Sequence, residues 1–103
     1  MTKKKYKHSV NFEDYLIEKL QDPEMTREYL NVCLEEYVKD NDFTEFMRSL
    51  ELVIKARQSL KSFSEEINLN RANLYAIFRG KRKPQFGTVL KILTKLGYTL
   101  KVA

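Results

Sequence analysis

Apolar residues recur every three or four positions over nearly all of the chain after residue 10, with polar residues between them. Such spacing places the apolar side chains on one face of a helix. The stripes and the breaks between them predict helices at residues 12–20, 23–39, 43–58 and 86–96, and a helical hairpin at residues 60–79. Together they predict an all-α fold of about five helices.

Residues that favour helix ends stand at the predicted boundaries. Asp22 can cap the helix that begins with Pro23, because its carboxylate can accept hydrogen bonds from free amides and proline suits the first helical position. Asp42 opens a segment that resembles a capping box. Gly80 and Gly97 are placed to end the helices that precede them.

The hairpin of residues 60–79 is the stretch around which the rest of the chain is organised. Asn68 tolerates the left-handed backbone of a sharp turn, so it can end the first helix. Leu69 is predicted to be an apolar plug between the two helices, and Asn70 can cap the second one. The second helix is predicted to bury Leu74, Ile77 and Phe78.

The outward face of this second helix, and the loop that follows it, carry side chains suited to DNA. Asn and Arg can pair with base edges through two hydrogen bonds, and the cations of residues 80–84 suit phosphates. The pattern is that of a helix-turn-helix whose second helix lies in the major groove; the alternative is an ordinary helical hairpin. For base reading we predict Asn70, Arg71, Asn73 and Tyr75. For phosphate contacts we predict Arg79, Lys81, Arg82 and Lys83.

The C-terminal residues 98–102 alternate between apolar and polar types, which favours a short β-strand. A single strand is not stable alone, and the sequence offers no second one. A symmetric dimer that pairs two copies would supply the missing strand, so we predict a homodimer through this segment. The alternative is an extended tail packed on the core.

Charge divides the chain into parts of opposite sign. The net charge is +5, but residues 9–50 contain four basic and eleven acidic residues, whereas residues 51–103 contain eleven basic and three acidic ones. The basic part suits a polyanion, and the acidic part could instead meet a basic protein. Residues 1–10, with four lysines, are predicted to be a basic flexible tail, and residues 11–103 a single domain.

Residue types needed for catalysis or metal binding are few. The only histidine, His8, falls in the predicted tail, and the only cysteine, Cys33, falls in an apolar stripe, which indicates a buried structural thiol. We find no Gly-rich phosphate loop and no metal-ligand spacing, so we predict no enzyme, no cofactor and no metal site. No stretch approaches the roughly 20 apolar residues of a membrane span, and no signal peptide is evident, so we predict a cytoplasmic protein.

Three stretches resemble a known family. They are FEDYLIEKLQDPEMTREYLNVCLEEY at residues 12–37, FTEFMRSLELVIKAR at residues 43–57 and KPQFGTVLKILTKLGYTLKV at residues 83–102. With the hairpin between them, they resemble the addiction-module antidote family, HigA-type antitoxins with a Cro/repressor-like helix-turn-helix. Members commonly have Gly in the turn and Ser at the cap, where Asn68 and Asn70 stand here, and often have Arg near Ala76.

The resemblance implies a small bacterial antitoxin of the cytoplasm, associated with the nucleoid when bound to its operator. Such proteins neutralise a toxin, typically a basic RelE/HigB-like ribonuclease. They also bind double-stranded operator DNA, usually as homodimers, and repress the toxin–antitoxin operon. Three alternatives are a stand-alone phage-type transcriptional repressor without a toxin, an interaction module that binds no DNA, and the ribonuclease toxin itself. Helical periodicity argues against the last of these, because that toxin fold needs several strands.

Overall fold

Six α-helices form over residues 10–101, which are the residues that this computed structural model describes. They are α1 (Val10–Lys19), α2 (Pro23–Asp40), α3 (Phe43–Lys55), α4 (Leu60–Glu66), α5 (Arg71–Phe78) and α6 (Phe86–Lys95). The predicted basic tail lies outside the described residues except for Val10, with which α1 begins.

α3 is the central helix of the fold. Eight of its 13 residues are buried, and it packs against α1, α2, α4 and α5. A helix with apolar side chains on more than one side is stable only where neighbours cover each side, and here they do. α6 joins the same core through Val89, Ile92, Leu93 and Leu96. Within the described residues, no helix is both long and apolar enough to cross a membrane.

Side-chain caps fix where the helices begin. Asp22 accepts a hydrogen bond from the backbone N–H of Glu24 at 3.1 Å, and Asp42 accepts one from Glu45 at 3.1 Å. Both predicted caps are therefore confirmed. Ser59 caps α4 in the same way, although it is not among the predicted caps. Each cap satisfies a backbone amide that the helix itself leaves without a partner.

Three helices end in the same left-handed turn. Asn68, Gly80 and Gly97, at the ends of α4, α5 and α6, have φ angles of 59°, 78° and 97°. In each case the residue that follows donates its backbone N–H to the backbone carbonyl of the third residue from the end of the helix. The distance is 2.9 Å each time, as in a Schellman motif. The predicted helix stops at these three positions are confirmed.

The predicted number of five helices and the predicted C-terminal strand were both wrong. The hairpin contributes two helices, as predicted for that stretch, and four others form beside it, which makes six. No strand forms anywhere in residues 10–101, and residues 98–101 are irregular. Val102, the last residue of the predicted strand, lies outside the described residues.

Contacts within the chain explain why the C-terminal segment forms no strand. The Arg57 guanidinium donates one hydrogen bond to the backbone carbonyl of Leu96 at 2.6 Å and another to the Tyr98 hydroxyl at 2.9 Å. The same guanidinium lies 5.5 Å from the centroid of the Tyr98 ring, and this ring packs against the core. Side chains thus hold this segment against its own chain. The strand through which two copies were predicted to pair does not form.

Replacing Gly80 by alanine should destabilise the fold more than the same change at Gly97. Both residues have positive φ angles, which cost a residue with a Cβ about 1–2 kcal/mol. At Gly80 the added Cβ would also lie 3.0 Å from the Thr44 Cγ2, whereas at Gly97 it meets nothing within 4 Å. Urea unfolding of the two variants measures the difference, and equal midpoints would contradict the close contact between α3 and the end of α5.

Candidate nucleic-acid interface

α4 and α5 are joined by a tight turn of four residues, 67–70. Asn68 takes the left-handed conformation, and Leu69 packs against the core between the two helices, as predicted. The backbone of Asn70 is extended, with φ −63° and ψ 133°. Its side-chain oxygen accepts a hydrogen bond from the backbone N–H of Asn73 at 3.1 Å. The predicted cap is confirmed, and it fixes the start of α5.

α5 buries one face and exposes the other. Leu74, Ile77 and Phe78 are all at most 4 % exposed and form part of the core. Arg71 and Tyr75 lie on the exposed face, with Tyr75 38 % exposed, and Asn73 is half-buried beside them. The structure therefore brings the four side chains predicted to read bases together over the first two turns of α5, Asn70 included.

The loop after α5 folds back onto two helices. The backbone N–H groups of Lys81 and Arg82 both donate to the carbonyl of Ala76, at 2.9 and 3.2 Å. The ammonium of Lys83 lies 5.9 Å from the centroid of the Phe43 ring, at the start of α3. Although the backbone is held, the residues at positions 81–83 remain exposed, so three cations stand next to the exposed face of α5.

Arg79, predicted to hold phosphate, is directed toward α3. Its guanidinium lies 2.5 Å from a carboxylate oxygen of Glu51, which is only 1 % exposed, and 5.7 Å from the centroid of the Tyr75 ring. The Arg79 side chain is still 39 % exposed. One edge of the guanidinium is therefore committed to an ion pair, and its contact with phosphate stays a prediction.

Glu51 is the residue near this site that the sequence reading missed. Its carboxylate also lies 3.3 Å from the Lys55 ammonium and 4.0 Å from the Arg48 guanidinium. A signal was present, because Glu51 interrupts the apolar stripe of α3 and has cations three residues before it and four residues after it. A carboxylate in that position is expected to be buried only with a charged partner.

A second surface, formed by α1 and α2, is acidic. Residues 10–42 contain ten acidic and three basic residues. On α2 the exposed side carries Glu24, Glu28 and Glu35, together with Met25, Val32 and Val38, of which Val38 is 80 % exposed. The residues that α2 buries are Thr26 and Leu30, so Met25 and Val38 do not belong to its core face. Exposed apolar side chains among carboxylates make this surface suited to a protein partner that is cationic.

Neighbouring side chains connect the acidic surface with α3. Glu13 of α1 accepts a hydrogen bond from Arg48 at 2.7 Å, and this bond raises the pKa of Arg48 above its ordinary value. Tyr29 of α2 packs against the core, and burial raises the pKa of its phenol above the ordinary value. Cys33 packs against the same core but is only half-buried, so it is less buried than predicted, and its structural role stays a prediction. In the described residues no group of histidine, cysteine, aspartate and glutamate side chains could hold a metal ion.

Residues 10–103 match the model of a family described as probable addiction module antidote protein. The match covers all six described helices. Comparison with curated proteins and with solved structures found no match.

Replacing Asn70 by alanine should destabilise the chain by about 1 kcal/mol, because the Asn73 amide loses its cap. Replacement by serine should cost much less, since a hydroxyl oxygen can accept the same hydrogen bond. Urea unfolding of both variants measures the two effects. A serine variant as unstable as the alanine variant would show that the cap is not what Asn70 contributes.

Proposed function

The chain belongs to the probable addiction module antidote protein family and therefore has an antitoxin role, and we propose that it acts on two partners. With α5 and the loop behind it, it binds operator DNA as a helix-turn-helix autorepressor. With α1 and α2, it neutralises a basic RelE/HigB-like ribonuclease toxin. Family membership indicates a regulatory role for the chain itself and not an enzymatic one.

One observation carries the DNA-binding proposal: the exposed face of α5 lies next to an unbroken cationic segment. Residues 67–103 contain no acidic residue, so nothing in this segment repels a phosphate backbone. Arg71 and Tyr75 are exposed on a helix whose opposite side is fixed in the core, which is how a recognition helix presents itself to the major groove. Lys81, Arg82 and Lys83 supply the phosphate contacts that would orient it.

A homodimer is part of this proposal. One short helix such as α5 contacts only a few base pairs, whereas two copies related by a two-fold axis would place two such helices at half-sites about one turn of the duplex apart. This homodimer does not pair through a C-terminal strand, since residues 98–101 form none. The proposed location is the cytoplasm, where both the operator and the toxin would be found.

The toxin proposal is carried by the acidic outer surface of α2. Glu28 and Glu35 are exposed and seven residues apart, so they lie on the same face of this helix. Val32 stands between them and is exposed as well, which adds apolar area to the charged surface. A ribonuclease toxin needs cations to bind RNA, and a surface of this kind could cover those cations.

Replacing Arg71 by alanine should relax the sequence preference of DNA binding, with a cost of roughly 1–3 kcal/mol on the preferred sequence only. Replacing Lys83 by alanine should weaken binding to all sequences alike and lower the salt slope by about one. Gel shifts with the region upstream of the gene and with a scrambled duplex, at several salt concentrations, measure both. If Arg71→Ala leaves the preference for the upstream region over the scrambled duplex unchanged, Arg71 has no base-reading role.

Replacing both Glu28 and Glu35 by lysine should weaken toxin binding roughly tenfold or more, because like charges would then face each other. The matched control replaces Glu65 and Glu66 of α4, which changes the charge by the same amount outside α1 and α2. The measurement is a calorimetric titration with the basic protein encoded beside this gene. Equal losses in both variants would mean that net charge, and not the α2 surface, sets the affinity. The absence of any basic neighbouring gene would favour a stand-alone phage-type repressor.

A further inference from the structure

Glu51 is a carboxylate buried in the middle of the central helix. It is 1 % exposed, and its Oε1 lies 2.5 Å from Arg79 while its Oε2 lies 3.3 Å from the Lys55 ammonium. Among the described residues, Oε2 accepts no hydrogen bond, so the hydrogen-bonding capacity of this carboxylate is only partly used. Desolvating a carboxylate is costly, and a buried ion pair often adds little stability compared with apolar residues of the same size. Stability alone is therefore a weak reason for a glutamate at this position.

The ion pair of Glu51 leads directly to the exposed face of α5. Arg79 is the C-cap residue that directly follows this helix, and its guanidinium lies 5.7 Å from the centroid of the Tyr75 ring, one turn earlier. The Arg79 guanidinium is thus held between a buried anion on one side and an exposed aromatic ring on the other. Any movement of this guanidinium changes the environment of Tyr75.

Charge repulsion explains why such an anchor is needed. Residues 79–83 contain four cations, which repel each other and would favour an Arg79 side chain extended away from its neighbours. Glu51 provides an opposite charge that is fixed by the core, so it selects one orientation of Arg79. Lys55, in contrast, approaches Glu51 from within α3 and makes no link to α5. Arg48, 4.0 Å away, also lies on α3, so Arg79 is the cation that connects this carboxylate with α5.

We infer that Glu51 is a positioning residue for DNA reading, which holds the Arg79 guanidinium against the Tyr75 ring and so fixes the C-terminal half of the base-reading surface. The inference rests on the proposed DNA-binding function. Glu51 itself is buried and touches no nucleic acid. It acts through Arg79. Because it orders the Arg79 side chain in the free protein, this side chain does not have to be ordered when DNA binds.

The test compares Glu51→Gln with Lys55→Met in the full chain. The first removes the charge that holds Arg79, and the second removes another cation beside the same carboxylate without touching α5. The DNA probes are a duplex selected by the wild-type chain from a random-sequence pool and a scrambled duplex of the same composition. NMR of the Arg79 Nη–H groups, one of which donates to Glu51, and of the Tyr75 ring reports the positioning directly, and urea unfolding reports stability.

Glu51→Gln should reduce the preference for the selected duplex about tenfold, measured as a ratio of dissociation constants. It should also speed exchange of the Arg79 Nη–H that is bonded to Glu51 and shift the Tyr75 ring signals, while Lys55→Met changes neither. Unchanged preference or unchanged NMR signals in Glu51→Gln would overturn the inference. A parallel loss of stability and preference in both variants would also overturn it, because Glu51 would then act on the fold alone.

A third variant covers the case in which Glu51→Gln does not fold. Arg79→Lys keeps the cation beside Glu51 but loses the planar guanidinium that lies against Tyr75. It should reduce the sequence preference as Glu51→Gln does, and a full retention of preference would reject the inference. A wild-type chain that enriches no sequence would remove the proposed DNA-binding function and, with it, the purpose assigned to Glu51. In that case the NMR comparison still reveals whether Glu51 holds Arg79 in the free protein.

Discussion

The fold depends on the burial of α3 on almost every side. Its apolar residues, with Met47, Leu50, Val53 and Ile54 fully inaccessible, need cover from several directions at once. That requirement brings the acidic helices α1 and α2 and the pair α4 and α5 onto one element. Burying such side chains contributes about 1.5–3 kcal/mol each, so the two parts of the molecule are stabilised by the same core. Neither part can be expected to keep its geometry without α3.

This shared core also explains how charges of opposite sign coexist in a small chain. Carboxylates concentrate on α1 and α2, whereas residues 67–103 contain none. At the places where the two parts meet on α3, opposite charges are paired: Glu13 with Arg48, and Glu51 with Arg79. The remaining charges of each part face solvent, where their effects on partners are long-ranged at low salt. This arrangement leaves two surfaces of opposite charge, and that is the basis of the proposed function.

The features that the sequence predicts well depend on residues close together in the chain. The features that it misses depend on residues far apart in the chain. Helix starts at Asp22 and Asp42, and the left-handed turn at Asn68, depend on neighbours within a few residues and were predicted correctly. The outward direction of Arg71 and Tyr75 follows from helical periodicity. The C-terminal strand failed because Arg57, 41 residues before Tyr98, fastens that segment instead. The ion pair of Arg79 with Glu51 spans 28 residues, and periodicity carries no information about such a distance.

The two ends of α5 share a feature that bears on how it could bind. Asn70 uses its side-chain oxygen for the cap, which leaves the N–H groups of the same amide as donors; a serine in that place would offer only one hydroxyl. Arg79 uses one edge of its guanidinium for Glu51 and remains partly exposed with the rest. Each side chain thus holds the helix with one group and can face a ligand with another. On the proposed function, the DNA-contacting surface is ordered by some of its own contact residues, so binding would cost less side-chain entropy than it would with freely rotating ones.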